Sequence, residues 1–136
     1  MVEPNQRHAD AHRMLELAAA AARAEAQAAH QLLDDFVAEM VARGLAPEPL
    51  RATLLSGRRV KTPLTGWYLN KAQTVAVAPD GAFYQLVVPG STLSRFTGVR
   101  PEPVQPVLEI GRGGKDGETG ALADFLARAI ESYSAR

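Results

Sequence analysis

The sequence predicts an α+β domain. The prediction rests on an uninterrupted helix-forming stretch at the start, short β-rich segments punctuated by turn residues in the middle, and an amphipathic pattern at the end. The 136 residues are enough for a single ordinary domain with an extension. Hydrophobic residues at 46% and charged residues at 22% are the proportions of a folding chain that buries a core.

The first element is a long helix. Between Gln6 and Arg43 there is neither Pro nor Gly, and Ala, Leu, Met, Glu, Gln and Arg dominate. Asn5 is placed as an N-cap, and Arg43-Gly44 supplies the basic last turn and the C′ glycine that close a helix. At about 1.5 Å per residue, a helix of this length is about twice as long as a domain of this size is wide, so it must project, bend or find a partner. An apolar stripe runs through Leu15, Ala18, Ala22, Ala26, Ala29, Leu33, Phe36 and Met40. Its second half, with Leu32, Leu33, Phe36 and Met40, carries the large side chains and is the expected interaction face. The alanine stretch favours close approach of another helix, as in an antiparallel pair.

Residues 1–44 are thus read as a self-association element, 45–57 as a hinge and 58–136 as the α+β body. In the hinge, Pro47 and Pro49 stop the helix, and one further short turn is expected from Arg51 to Leu55. Strands are expected at Arg58 to Thr62, Gly66 to Asn70, Thr74 to Ala78, Ala82 to Val88 and Val107 to Ile110, forming a four- or five-stranded, mainly antiparallel sheet. Pro79-Asp80-Gly81 between two apolar runs is a hairpin signal with a mechanism: Pro presets a turn dihedral, Asp bonds locally and Gly accepts positive φ. Trp67 and Leu69 are assigned to the core, with Tyr68 outward by alternation. Leu93 and Phe96 are expected to tuck under the sheet, and the proline-rich run from Pro101 to Pro106 should be extended. Leu122, Phe125, Leu126, Ala129 and Ile130 recur at helical spacing, so a C-terminal amphipathic helix should pack on the sheet.

The charge is segregated beneath a net value of zero. Residues 1–50 hold four Lys/Arg against eight Asp/Glu, residues 51–100 seven against one, and residues 101–136 four against six. The acidic helix packing on the basic middle, within or between chains, would explain this pattern. The alternative is a nucleic-acid or phosphate-ligand site that uses the basic segment 51–100, with Arg58, Arg59 and Lys61, and the Gly-rich loop 111–120, with Arg112 and Lys115. That loop matches neither GxxxxGK[ST] nor GxGxxG.

Chemistry-bearing patterns are sparse. With no cysteine there is no disulfide, thiol nucleophile or cysteine metal site. His8, His12 and Glu16 share one helix face, but the first histidine is followed by Ala9 where a zincin has glutamate. No nucleophile–histidine–acid grouping and no cofactor motif is found, so an enzyme is the least supported class, and no cofactor or metal is expected. A second alternative is a small-ligand or enzyme domain with its site between the sheet and the C-terminal helix, although no residue grouping points there. Glu3 and Pro4 stand where a secretory signal would be basic and then apolar, and no apolar run approaches the roughly 20 residues that span a bilayer; a cytoplasmic protein with no membrane partner is expected. Abundant alanine and the excess of arginine over lysine are a bias of GC-rich bacterial coding sequences. The resulting expectation is a noncatalytic bacterial interaction or regulatory module, with itself and another protein as partners.

Overall fold

The computed structural model describes residues 4–91, 93–111 and 118–136. Helix α1 (Pro4–Ala42) begins on a proline, whose missing N–H is one that a first helical turn leaves unbonded in any case. Asn5 therefore lies inside the helix and not before it. The other end is a Schellman closure. Leu45 N–H donates to the Met40 carbonyl (2.9 Å) and Gly44 N–H to the Val41 carbonyl (3.0 Å), with Gly44 at φ +70°. Leu45 then packs against the core cluster that contains Met40, the kind of apolar contact that often accompanies this motif.

After the helix the chain enters a five-stranded sheet. β1 (Glu48–Leu54) pairs antiparallel with β2 (Arg59–Tyr68), β2 with β3 (Val75–Val77), and β3 with β4 (Phe83–Gln85); β5 (Val87–Val88) lies parallel to β1. The strand order is β4-β3-β2-β1-β5. Segment 45–57, expected as a hinge with a short helical turn, is thus largely a central strand, because two prolines exclude a helix but not an extended chain. Its second proline, Pro49, sits beside a shift in the β1–β2 register between Pro49 and Arg51. Opposite the shift lies Pro63 of β2, where the missing N–H disrupts nothing further. Thr62 Oγ1 donates to the Leu50 carbonyl (2.7 Å) and the Tyr68 hydroxyl accepts from Arg51 N–H (2.8 Å), so side chains replace the lost ladder bonds.

The end strands of this order, β4 and β5, are consecutive in sequence and separated only by Leu86. Leu86 N–H donates to the Thr74 carbonyl on one side (2.7 Å), and its own carbonyl accepts from Thr53 N–H on the other (2.6 Å). The sheet therefore curls until one segment closes it, and from Trp67 and Tyr68 of β2 through β3 to Phe83 and Tyr84 of β4 side chains are buried on both faces. Leu50, Tyr68, Ala76, Ala78, Tyr84 and Leu86 fill the inside of the curl. Trp67, Leu69, Val75, Val77 and Phe83 face the helices. The alternation expected for Trp67 and Tyr68 holds, but closure buries Tyr68 as well, at 6% exposure. The Pro79-Asp80-Gly81 hairpin forms as expected, with Ala82 N–H bonded to Asp80 Oδ1 (2.9 Å).

Beyond the sheet, α2 (Ser94–Thr97) is one turn, and its Phe96 and the preceding Leu93 are about two-thirds exposed instead of tucked under the sheet. β6 (Glu109–Ile110) pairs with β7 (Gly120–Ala121) in a separate ribbon. The fifth strand of the main sheet is therefore β1 and not the 107–110 segment. α3 (Leu122–Ser134) follows β7 directly and buries Leu122, Phe125, Leu126, Ala129 and Tyr133. These residues join Ala29, Leu33, Phe36 and Met40 of α1 on the helix-facing side of the sheet. Phe36 meets Trp67 edge to face at 6.0 Å, and Trp67 Nε1 donates to the Leu45 carbonyl (3.1 Å). The architecture is α+β, with a long first helix and a last helix on the sheet.

Candidate functional site

Three places on this fold bear on function. The first is the amino-terminal half of α1. The body buries α1 only from Ala26 onward, through Ala26, Ala29, Leu33, Phe36 and Met40 at alternating spacings of three and four. Leu33, Phe36 and Met40 are therefore in the chain's own core and Leu32 is half-buried against it. Every residue from 4 to 25 is exposed, including Met14 (66%), Leu15 (71%) and Leu17 (59%). His12 pairs with Glu16 there (2.8 Å), and no metal-binding group of His, Asp or Glu occurs among the described residues.

The second place is the outer face of the β1–β2 hairpin. Arg51 stands directly across from Lys61 and Thr53 from Arg59, which puts three cations on one exposed face; Arg58 is exposed at the turn. Arg59 Nη2 reaches the Tyr68 hydroxyl (3.3 Å). The acids of α1 do not neutralise this face through any bond among the described residues. Glu16 bonds His12, Glu25 the Leu108 N–H, Asp35 Gln31, and Glu39 Arg43. No ion pair among the described residues joins the acids of α1 to the basic hairpin. Arg112 and Lys115 lie outside the described residues.

The third is a cavity of about 510 Å³ between the β2–β3 connection and α3. Leu69, Asn70, Lys71 and Gln73 line it from the β2–β3 connection, Phe125, Arg128, Ser132 and Arg136 from α3 and the residues just after it, and Glu118 lines it as well. The connection is held from both sides. Asn70 Oδ1 accepts from the N–H groups of Thr74 and Val75 (3.0 and 3.2 Å), and Gln73 adopts φ +59°, in the left-handed region that a non-glycine residue seldom enters. The Glu118 carboxylate accepts from the N–H groups of Ala72 (2.8 Å) and Lys71 (3.2 Å).

At the cavity's base the Tyr133 hydroxyl donates to Glu48 Oε2 (2.6 Å) and accepts from Tyr68 N–H (2.8 Å), while Arg136 Nη1 donates to the same carboxylate oxygen (2.7 Å) and its guanidinium lies 4.1 Å above the Tyr133 ring. Burial, reinforced by the hydrogen bond to the Glu48 carboxylate, holds the Tyr133 hydroxyl well above its ordinary pKa of 10.0, so it is neutral wherever the protein is folded near neutrality. Along α3, Phe125, Arg128 and Ser132 are three or four apart and share a face, and Arg136 follows just past its end. That spacing was the available sequence signal for this site. The opposite wall sits some 60 residues earlier and is brought in only by the fold.

No family model, no curated protein and no solved structure matches the chain. Among the described residues, no helix is long and apolar enough to cross a membrane.

Proposed function

We propose that the protein is a noncatalytic interaction module that self-associates through the amino-terminal half of α1. The observation that carries this reading is the projecting segment 4–25, about 33 Å of helix at 1.5 Å per residue, exposed on every side yet bearing Met14, Leu15 and Leu17. The occupant that suits it is a second copy, antiparallel. Ala11, Leu15, Ala18 and Ala22 follow the 4-3-4 spacing of a helical seam, and that spacing reads the same in reverse. With the two-fold axis midway between Leu15 and Ala18, Leu15 of one copy falls opposite Ala18 of the other, and Ala11 opposite Ala22, large against small. In the same register Arg7 of one copy lies opposite Ala26 of the other, where the partner's body begins. Arg7, Arg13 and Arg23 balance Asp10, Glu16 and Glu25, which removes net repulsion between copies and any net attraction for a polyanion.

Light scattering on a sizing column tests this. The expected mass is twice the chain mass of 14.6 kDa, falling to one chain for Ala18→Glu with unchanged circular dichroism. A full-length monomer at every concentration would sink the reading.

A second reading, binding of nucleic acid or a phosphate ligand by the β1–β2 hairpin, is favoured by one feature. Arg51 and Lys61 are direct cross-strand partners with like charge, an arrangement that is destabilising unless an anion bridges it, and neither makes an ion pair among the described residues. Affinity for single-stranded DNA that falls steeply with salt and is lost in Arg59→Ala/Lys61→Ala would support it; absence of a salt-dependent affinity would remove it.

A further inference from the structure

We propose that the cavity between the β2–β3 connection and α3 is a binding site for a small organic anion, with an aromatic-sized apolar body and a carboxylate or phosphate head. The inference does not rest on self-association. Its volume, about 510 Å³, is that of a small-molecule site, and its lining joins apolar groups from Leu69, Phe125 and Ala129 to a few polar ones.

The charge around it is unequal. Lys71, Arg128 and Arg136 contribute three cations against the Glu118 carboxylate in the lining. Glu118 is held by the backbone N–H groups of Lys71 and Ala72, and Arg136 is occupied by Glu48. Lys71 and Arg128 make no ion pair among the described residues. The Arg128 guanidinium lies 4.6 Å from the centre of the Phe125 ring. Stacking fixes the plane of a guanidinium while leaving the N–H groups along its edge able to take two anionic oxygens side by side. Ser132, one turn farther along α3, adds a hydroxyl beside it.

The opposite wall is shaped before any ligand arrives. Gln73 keeps a left-handed backbone because the Asn70 bonds on one side and the Glu118 bonds on the other hold the connection in place. Backbone strain of this kind persists only where the surroundings enforce it, and it commonly accompanies binding sites. A preformed wall across the cavity from a guanidinium that lies over the Phe125 ring and makes no ion pair among the described residues is an arrangement suited to an anion with a flat apolar body.

Nuclear magnetic resonance titration of the full-length protein with benzoate, phenyl phosphate and benzyl alcohol tests the proposal. Benzoate, phenyl phosphate or both should give saturable shifts of the amides of Asn70 to Gln73 and of Ser132 and Tyr133. Benzyl alcohol, with the same ring and no charge, should bind at least about tenfold more weakly. Arg128→Gln, an exposed substitution on α3 that leaves the fold intact, should weaken anion binding by about tenfold or more, the effect of losing one charge-assisted pair. Preference for benzoate would identify a carboxylic acid as the ligand class, and preference for phenyl phosphate a phosphate monoester. Absence of saturable shifts with both anions, equal binding of benzyl alcohol, or unchanged affinity in Arg128→Gln would overturn the proposal.

Discussion

At the scale of single residues, Tyr133 fastens the last helix to the sheet. Its hydroxyl serves the Glu48 carboxylate and the buried Tyr68 N–H together, so Tyr133→Phe leaves the N–H without its acceptor. We expect a loss of about 2 kcal/mol in urea denaturation at pH 7, because a buried donor without a partner costs more than an average hydrogen bond contributes. The pH dependence has a definite sign. The folded pKa is raised above the unfolded 10.0, so the stabilisation is fully present below pH 10 and is lost as pH rises above it, where the unfolded chain has released a proton that the native state still holds. Stability should therefore fall from about pH 10 upward, less steeply in Tyr133→Phe. Tyr84, raised by burial and by Asp80 and Glu102, supplies part of the remaining slope. An equal slope in the variant would assign the effect elsewhere. In the sequence, Trp67 was legible as core because alternation fixes sides. The burial of Tyr68 was not, because alternation cannot tell an open face from the inside of a sheet that closes on itself.

At the scale of elements, β2 is the hinge of the sheet's curvature. It pairs with β1 as far as Gly66 and with β3 from Trp67, and a Cβ built on Gly66 would overlap the Val77 carbonyl. Gly66→Ala must push β3 away and is expected to cost about 2 kcal/mol or more, read as a lowered urea midpoint with an unchanged slope. Near-wild-type stability would show that the two strands separate freely there. Local signals made most of the element sequence readable: the proline-free run of α1, its closing glycine, the Pro79-Asp80-Gly81 turn and the spacing in α3. They failed at residues 45–57, where Pro47 and Pro49 exclude a helix but do not reveal that Leu50, Ala52 and Leu54 alternate inward along β1. They failed again at Val107 to Ile110, a β-rich stretch whose partner, β7, is set by tertiary packing. Pro63 made β2 look like two strands, because the bonds that hold it together there run from the Thr62 and Tyr68 side chains to the Leu50 and Arg51 backbone of β1, a partner that local sequence does not reveal.

At the scale of the whole molecule, one long helix serves two purposes along its length. From Ala26 onward it is a wall of the core, and before that its described residues are exposed, with Glu25 touching the body through the Leu108 N–H. The apolar stripe was visible in the sequence as one continuous feature. Where the body stops covering it was not, because that point depends on how far the curled sheet and α3 extend beneath the helix. The large side chains at Leu33, Phe36 and Met40, expected as an interaction face, are occupied within the chain, which leaves Met14, Leu15 and Leu17 as the apolar residues available to a partner. The cavity was likewise unreadable, since its walls come from residues about 50 to 60 positions apart.

The antiparallel pairing of the projecting helices is open to a direct measurement, because the chain contains no cysteine. Ala11→Cys and Ala22→Cys variants, prepared separately and treated with a short thiol-to-thiol crosslinker, should each stay largely uncrosslinked, because eleven residues, about 16 Å of helix, separate like positions in the antiparallel pair, and a mixture of the two should give a covalent dimer joining one of each. Self-crosslinking of each variant alone would mean parallel helices, and no crosslinking in the mixture would mean that the helices do not pair; either result would contradict the account.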